Sequence, residues 1–332
     1  MSKRKVTGKQ AILAHWLSRA GWILVIGSAL ITLVHGMGRA APIGASVEPL
    51  PVSEVAPQLF VAQGAVAIAD PHNQGFISNM TFIIGNKGIA VVDTGGSFLV
   101  GMRLKAAIRQ KSDLPILYVI NTHAHPDHVF GNAAFVDTGA EFIAHANFNR
   151  ALKERGSYYL PANQRLIGAD GFTGTQLVQA TRLVEKAEKI DLGERILSLT
   201  PHPTAHTDND LSVVDEKTRT AILGDMLFVH HIPALDGRLK GWIGEMIKLK
   251  SQKFDQAVPG HGSAKVPWPQ SLEPQLHYLQ TLVTELRQQI ADGVSINDAS
   301  TKTGLSERDA WILFDEFNTR NATTGYAELE WE

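Results

Sequence analysis

The 332-residue chain contains no cysteine. Disulfide bridges are therefore excluded, and so is anchoring through a lipid-modified cysteine. A body of this length buries enough surface to stand without such staples. A strong charge of either sign is also missing: 31 basic residues face 33 acidic ones, a formal net of −2. Nothing in that balance points to a nucleic-acid-binding surface. The strongly apolar run at 20–34 is short for a membrane span. No paired arginines mark the leader for the twin-arginine route. What is present, 44% hydrophobic and 19% charged residues, describes a globular protein with a substantial core.

The charge is unevenly placed. Residues 1–40 hold Lys3, Arg4, Lys5, Lys9, Arg19 and Arg39 and no acidic residue, so the remaining body is acidic. A basic start, an apolar stretch and the small residues of "GRAAP" read as a signal peptide cut after Ala40, or as an uncleaved N-terminal anchor. Either way the body is expected outside the cytoplasm, in the periplasm, touching a membrane only if the leader is retained. Residues 41–57, rich in proline and small residues, read as a linker.

The folded body is expected from residue 58. "NMTFIIG" and "GIAVVDTGG" are β-rich runs joined by a glycine-bounded hairpin, Gly85-Asn86-Lys87-Gly88. "SFLVGMRLKAAIRQ" places Val100, Leu104, Ala107 and Ile108 on one helical face. "ILYVIN" is a buried strand, "HVFGNAAFV" is helical and "EFIAH" is a further strand. Residues 147–186 look less regular. A second half repeats the style with "KIDLG", "RILSLT", "LSVVD" and "TAILGD" as strands, and a helical extension at 266–332 has "LEPQLHYLQTLVTELRQQI" as its clearest helix. Two strand-rich halves with helices between them suggest a layered α/β sandwich over residues 58–265.

One strand runs straight into "NTHAHPDHVFGN", residues 121–132. His123, His125, Asp127 and His128 mix imidazole nitrogen with carboxylate oxygen at a strand end, a donor set that suits zinc. Four ligands are too many for one ion and too few for two. The second half offers His206 in "PTAHTDND", Asp225 in "AILGDMLF", and His261 in "VPGHG", whose glycines permit close backbone approach. His202, four residues before His206, competes for the ligand role, and Pro203 after it disfavours it. Asp93 in "VVDTGG" is a candidate to fix the histidine loop by hydrogen bonds, and Asp210 a weaker one for the same task. His230 and His231 either line the pocket or lie exposed. His72, His145 and His277 read as structural or surface residues, and Trp242 as core.

Together "VVDTGG", "THAHPDH", "AHTDND", "GDMLF" and "PGHG" resemble the metallo-β-lactamase superfamily over roughly residues 58–265. "INTHAHPDHVFGNAAF", "PTAHTDNDLSV", "IPALDGRLKGW" and "YAELEWE" further resemble the quinoprotein relay system zinc metallohydrolases. The resemblance implies a four-layer αββα sandwich and a site for two Zn2+ ions. His123, His125 and His206 would bind the first, and Asp127, His128 and His261 the second. Asp225 would bridge them. Two such ions, about 3.5–4 Å apart, activate a shared hydroxide for hydrolysis, with Asp127 orienting it or carrying a proton.

A thioester, an ester or a similar small molecule is the substrate class the bridging aspartate favours, because β-lactamases with a similar second site generally lack it. A link to a quinoprotein system is the partner the resemblance implies. A β-lactamase, a mononuclear iron sulfur oxygenase and a non-catalytic metal-binding accessory protein remain as alternatives. Residues 147–186 and the helical tail are expected to shape the pocket.

Overall fold

A computed structural model describes residues 47–332. The leader and the first part of the expected linker lie outside the described residues. Strand β1 (Ser53–Ala56) falls within the stretch expected to be linker, so the folded body begins earlier than residue 58. It pairs antiparallel with β2 (Leu59–Ala62), which gives this short, partly exposed segment a place at a sheet edge.

The first sheet continues through β3 (Met80–Ile84), β4 (Ile89–Val92), β5 (Ile116–Ile120), β6 (Glu141–His145) and β7 (Arg182–Val184), in that spatial order. Its first four strands are antiparallel and its last four parallel. The second sheet has the order β13-β12-β11-β10-β9-β8, from β8 (Glu188–Asp191), β9 (Ile196–Pro201), β10 (Leu211–Asp215), β11 (Thr220–Phe228), β12 (Gln256–His261) and β13 (Val266–Pro267). Only β11 and β12 pair in parallel there. The glycine-bounded hairpin is as expected: Gly85 N–H donates to Gly88 carbonyl at 2.9 Å, between paired Ile84 and Ile89.

Strand alternation explains the layers. In β4, Ile89 and Val91 face one apolar cluster, while Ala90 and Val92 face another. The Ala90 face meets Leu197, Leu199, Leu211, Val213, Ile222 and Val258 of the second sheet, so the two sheets share a core. The Val91 face packs under α1 (Phe98–Lys111), capped by the Ser97 hydroxyl, which accepts from Val100 N–H at 3.3 Å. Its buried side carries Val100, Leu104, Ala107 and Ile108, as the sequence periodicity requires.

After β5 come the short α2 (Pro126–Val129) and a 3-10 helix, Phe130–Thr138. Residues 147–186 are more ordered than expected. They form α3 (Phe148–Ile167) and α4 (Ala169–Phe172) before β7. The 20-residue α3 contains Pro161 and buries only a narrow side, including Phe148, Ala151 and Leu152. Its remaining faces are polar or aromatic, and that is why no clear apolar period announces it.

Helix α5 (Leu239–Lys250) covers the outer face of the second sheet together with α6 (Glu273–Ala291) and α8 (Phe314–Leu329), with α7 (Ile296–Lys302) beside α8. Leu223 and Leu227 of β11, Trp242 of α5, Leu279 and Leu286 of α6 and Leu329 of α8 belong to one cluster. The C-terminal helices thus share the core of the second sheet. The fold is the αββα sandwich with a helical extension. No helix among the described residues is long and apolar enough to cross a membrane.

Candidate metal centre

The site lies where both sheets present strand ends on one edge. Asp93 follows β4, the histidine loop follows β5, His206 precedes β10, and His261 ends β12. Asp225 differs from expectation in one respect. It sits inside β11, whose pairing with β12 shifts register around Gly224. Gly224 has φ +51, a conformation glycine takes freely, and the bulge re-aims the next side chain. Gly260 faces Asp225 so closely that a side-chain carbon there would collide with Oδ1.

The seven expected ligands converge as two groups, His123–His125–His206–Asp225 and Asp127–His128–His261. Asp225 joins them. Its Oδ2 is 3.6 Å from His123 Nε2 and 3.7 Å from His206 Nε2, while its Oδ1 is 3.2 Å from His128 Nε2 and 3.4 Å from His261 Nε2. Asp127 Oδ2 lies 3.5 Å and 3.2 Å from the same nitrogens of His128 and His261.

Four of the seven residues present donor atoms left without partners. His123 Nε2, His128 Nε2, His206 Nε2 and Asp225 Oδ1 are buried and make no hydrogen bond. Buried polar atoms are nearly always satisfied, so a group of orphans aimed at one point marks a ligand site. The two groups therefore fit metal binding, with a histidine and carboxylate donor set of the kind zinc takes.

The opposite edges of the rings are held. Asp93 Oδ2 accepts from His128 Nδ1 at 2.8 Å, and its carboxylate also accepts from Thr122 N–H and hydroxyl at 2.8 and 2.7 Å. Asp93 does this from φ +60, a backbone region that aspartate tolerates better than most residues. His261 Nδ1 donates to Ile77 carbonyl at 2.9 Å. Asp210 accepts from Thr207 N–H and hydroxyl at 2.8 and 2.6 Å, bracing the loop. It stands 3.4 Å from His206 Nδ1 without completing a hydrogen bond.

Electrostatics favour positive charge between the carboxylates. Burial opposes charge on His261, but Asp225 and Asp127 outweigh it and push its pKa up to about 9. His128 behaves alike: burial opposes its charge, yet Asp225, Asp127 and Asp93 hold it well above the ordinary range. His125 is drawn down to about 4, chiefly by burial, and so stays a neutral ligand at physiological pH.

Of the remaining candidates, His202 belongs to neither group. Its Nε2 is 2.8 Å from Ser212 Oγ and its Nδ1 3.2 Å from Glu245 Oε2, a buried structural set. His230 is exposed, whereas His231 is buried and lines the cavity. His72 is exposed, the His277 side chain largely so, and His145 accepts from Asn147 N–H at 3.0 Å. Trp242 is core, its ring 5.2 Å from that of His206.

Sequence reasoning missed Asp236. Its Oδ2 lies 3.0 Å from His125 Nε2, leaving Nδ1 as that ring's free nitrogen. Asp236 also receives Arg155 of α3 and Arg320 of α8, the latter at 2.9 Å. The stretch "IPALDGRLKGW" contained it, with nothing local to assign its role. A cavity of about 820 Å³ opens above the ligands. Residues of α3 and α8 line it, among them Tyr158, Leu166 and Phe317, so both segments expected to shape the pocket do so.

An αββα sandwich with histidine and aspartate ligands at its strand ends defines a class of metal-dependent proteins. The profile of the Metallo-beta-lactamase superfamily matches residues 73–261, and the chain belongs to that superfamily. A 50-residue segment is 44% identical to the linear primary-alkylsulfatase of Pseudomonas sp., covering 15% of this chain and 10% of that protein. Among solved structures, the stereoselective inverting sec-alkylsulfatase Pisa1 from Pseudomonas sp. is similar with a TM-score of 0.64 and 18% identity, over 84% of this chain and 50% of that one. The metallo-beta-lactamase from Pontibacter korlensis is similar with a TM-score of 0.57 and 17% identity, over 70% of this chain and 99% of that one. The chain thus spans about half the length of the sec-alkylsulfatase and a tenth of the linear primary-alkylsulfatase.

Proposed function

We propose that the chain is a dinuclear zinc-dependent hydrolase acting on a thioester, an ester or a similar small molecule. The observation that carries this reading is Asp225, whose two oxygens each face a separate histidine pair, three of the four facing nitrogens being orphaned. His123, His125 and His206 would hold one ion, Asp127, His128 and His261 the other, with Asp225 shared. Bound there, the ions would lower the pKa of a water to near 7 and polarise the oxygen of the bond to be cleaved.

The chain's own residues do the rest. Asp93 and Ile77 carbonyl fix the tautomers of His128 and His261, and Asp236 fixes His125. Asp127, less buried than its neighbours and facing the cavity, stands where a carboxylate can orient a water or take its proton. Phe228 and His231 wall the cavity beside His261 and limit water there.

Sulfate-ester hydrolysis is a second reading. It rests on the 50-residue match, which is far closer than the 17–18% identity of the solved structures. Export and association with a quinoprotein system complete the proposal; they rest on the basic leader with its apolar run and on the sequence motifs.

Metal analysis of purified, metal-replete protein tests the centre, and two zinc ions per chain are expected. One iron with negligible zinc would overturn it in favour of an oxygenase. A panel of thioesters, carboxylic esters, β-lactams and alkyl sulfates tests the reaction. Turnover of none by the zinc-loaded protein would favour the non-catalytic accessory reading.

A further inference from the structure

Arg155 and Arg320 come from α3 and α8, outside the histidine motifs, and both line the cavity that holds His125, Asp127, Asp225 and His261. Both close on the single carboxylate of Asp236, which also takes His125 Nε2. Asp236 is itself tied to the site, its N–H donating to His206 carbonyl at 3.1 Å. Two guanidinium groups therefore share one counter-charge, one imidazole and one carboxylate away from the first metal position. Glu154, also on the cavity wall, is engaged by Arg150 at 2.8 Å.

The arginines keep capacity to spare. Arg155 uses Nη1 for Asp236 and for Tyr159 hydroxyl, and Arg320 uses Nη2 for Asp236. Among the described residues, their other N–H groups have no acceptor, and their side chains are 43% and 58% exposed. A guanidinium offers five donors in a fork that fits a carboxylate or sulfate in two bonds. On the same cavity, Ile68, Tyr158 and Leu166 are exposed, an unusual cost for large apolar groups unless something covers them.

We propose that this cavity takes an amphiphilic organic anion. Arg155 and Arg320 hold its acid group, and Ile68, Tyr158 and Leu166 hold its apolar part. The inference rests on the hydrolase reading only for the position of the cleaved bond. Asp236 and His125 stand between that acid group and the candidate metal position, so the acid is not the group cleaved and the substrate class becomes an acid-bearing ester or thioester.

Calorimetric titration of the zinc-loaded full chain with octanoate, octyl sulfate and octyl glucoside, each below its micelle concentration, tests this without turnover. At least one anion should bind about tenfold or more tightly than the neutral glucoside. Arg155→Gln and Arg320→Gln should each weaken that anion about tenfold, as expected for a lost charge-assisted hydrogen bond, and leave the glucoside unchanged. Arg320→Lys keeps the charge, and hence the pairing with Asp236, but should still weaken the anion. It covers the case in which the glutamine variant fails to fold. A preference between octanoate and octyl sulfate tells carboxylate from sulfate. The proposal is overturned if no probe binds, if anion and glucoside bind alike, or if anion binding is lost on chelating the metal yet unmoved by the arginine variants. Selective anion binding without turnover would leave this inference standing and remove the hydrolase reading; turnover without such binding would do the reverse.

Discussion

Asp93 holds His128 from behind: its Oδ2 accepts from Nδ1 at 2.8 Å, which turns Nε2 towards Asp225 and Asp127. Asp93→Asn keeps an oxygen for Thr122 N–H but sets an amide donor against an N–H donor. The ring must then change tautomer or turn. Affinity for the second ion should fall roughly 10–100-fold, the usual cost of losing such a partner. Zinc titration against a competing chelator reads this, and an unchanged second affinity would remove the orienting role.

Asp225→Asn tests the bridge itself. Asp225 lies within β11 and does not end it. The variant keeps the shape and loses one anionic oxygen. Second-metal affinity and hydrolytic rate should both drop at least about tenfold, with a much smaller change in the unfolding temperature. An unchanged stoichiometry and rate would end the bridging assignment, and with it the preference for thioesters over β-lactams.

Metal loading should depend on pH in a defined direction. A ligating nitrogen must shed its proton, and His261, raised to about 9, and His128, also raised, hold theirs at neutrality. Zinc binding should therefore release protons near pH 7, and second-ion affinity should rise with pH up to about 9. For the chelated protein the sign reverses. A histidine raised in the folded state stabilises fully below its unfolded value of about 6.5, and that contribution is lost as pH climbs through about 9. Calorimetry in buffers of different ionisation enthalpy measures the protons, and thermal unfolding with chelator measures the stability. A pH-independent second affinity between 6.5 and 9 would contradict the charge state derived for the pair.

Stability is also tested at a buried ion pair away from the candidate metal centre. Arg195 donates to both oxygens of Asp215, at 3.1 and 2.6 Å, and to Ile84 carbonyl of the first sheet at 3.1 Å. Arg195→Ala leaves a buried carboxylate unpaired and should cost about 3–5 kcal/mol in denaturant unfolding. Replacing both members with apolar residues should recover most of it. A loss under about 1 kcal/mol in the single variant would mean that water reaches Asp215.

Export is tested on the mature chain. The basic leader and its apolar run predict a soluble periplasmic form beginning near residue 41. N-terminal sequencing of the periplasmic fraction checks the cut. Full-length chain confined to membranes would establish the anchor.

The candidate metal centre was legible because its residues are local or sit at recognisable strand ends. His123, His125, Asp127 and His128 need only six residues of chain, and each of His206, Asp225 and His261 belongs to a short motif beside or within a strand. The periodic face of α1 was legible for the same reason, since its pattern repeats within a few residues. Helix α3 was not legible, since its outward faces serve a cavity and carry no apolar stripe.

By itself, then, the amino-acid order pointed to a layered α/β sandwich, made αββα by the family resemblance of its motifs, and to the side chains that are candidates to meet a metal. Only the tertiary structure decided that Asp225 presents one oxygen to each group and that His202 turns away to Ser212 and Glu245. It alone brought Arg155, Asp236 and Arg320 together, the first pair 81 positions apart in the chain and the second 84. Local patterns record burial and spacing along the chain. A contact between an exposed face of α3, a loop and a C-terminal helix leaves no such periodic trace, because no hydrophobic requirement acts on those positions until the chain has folded.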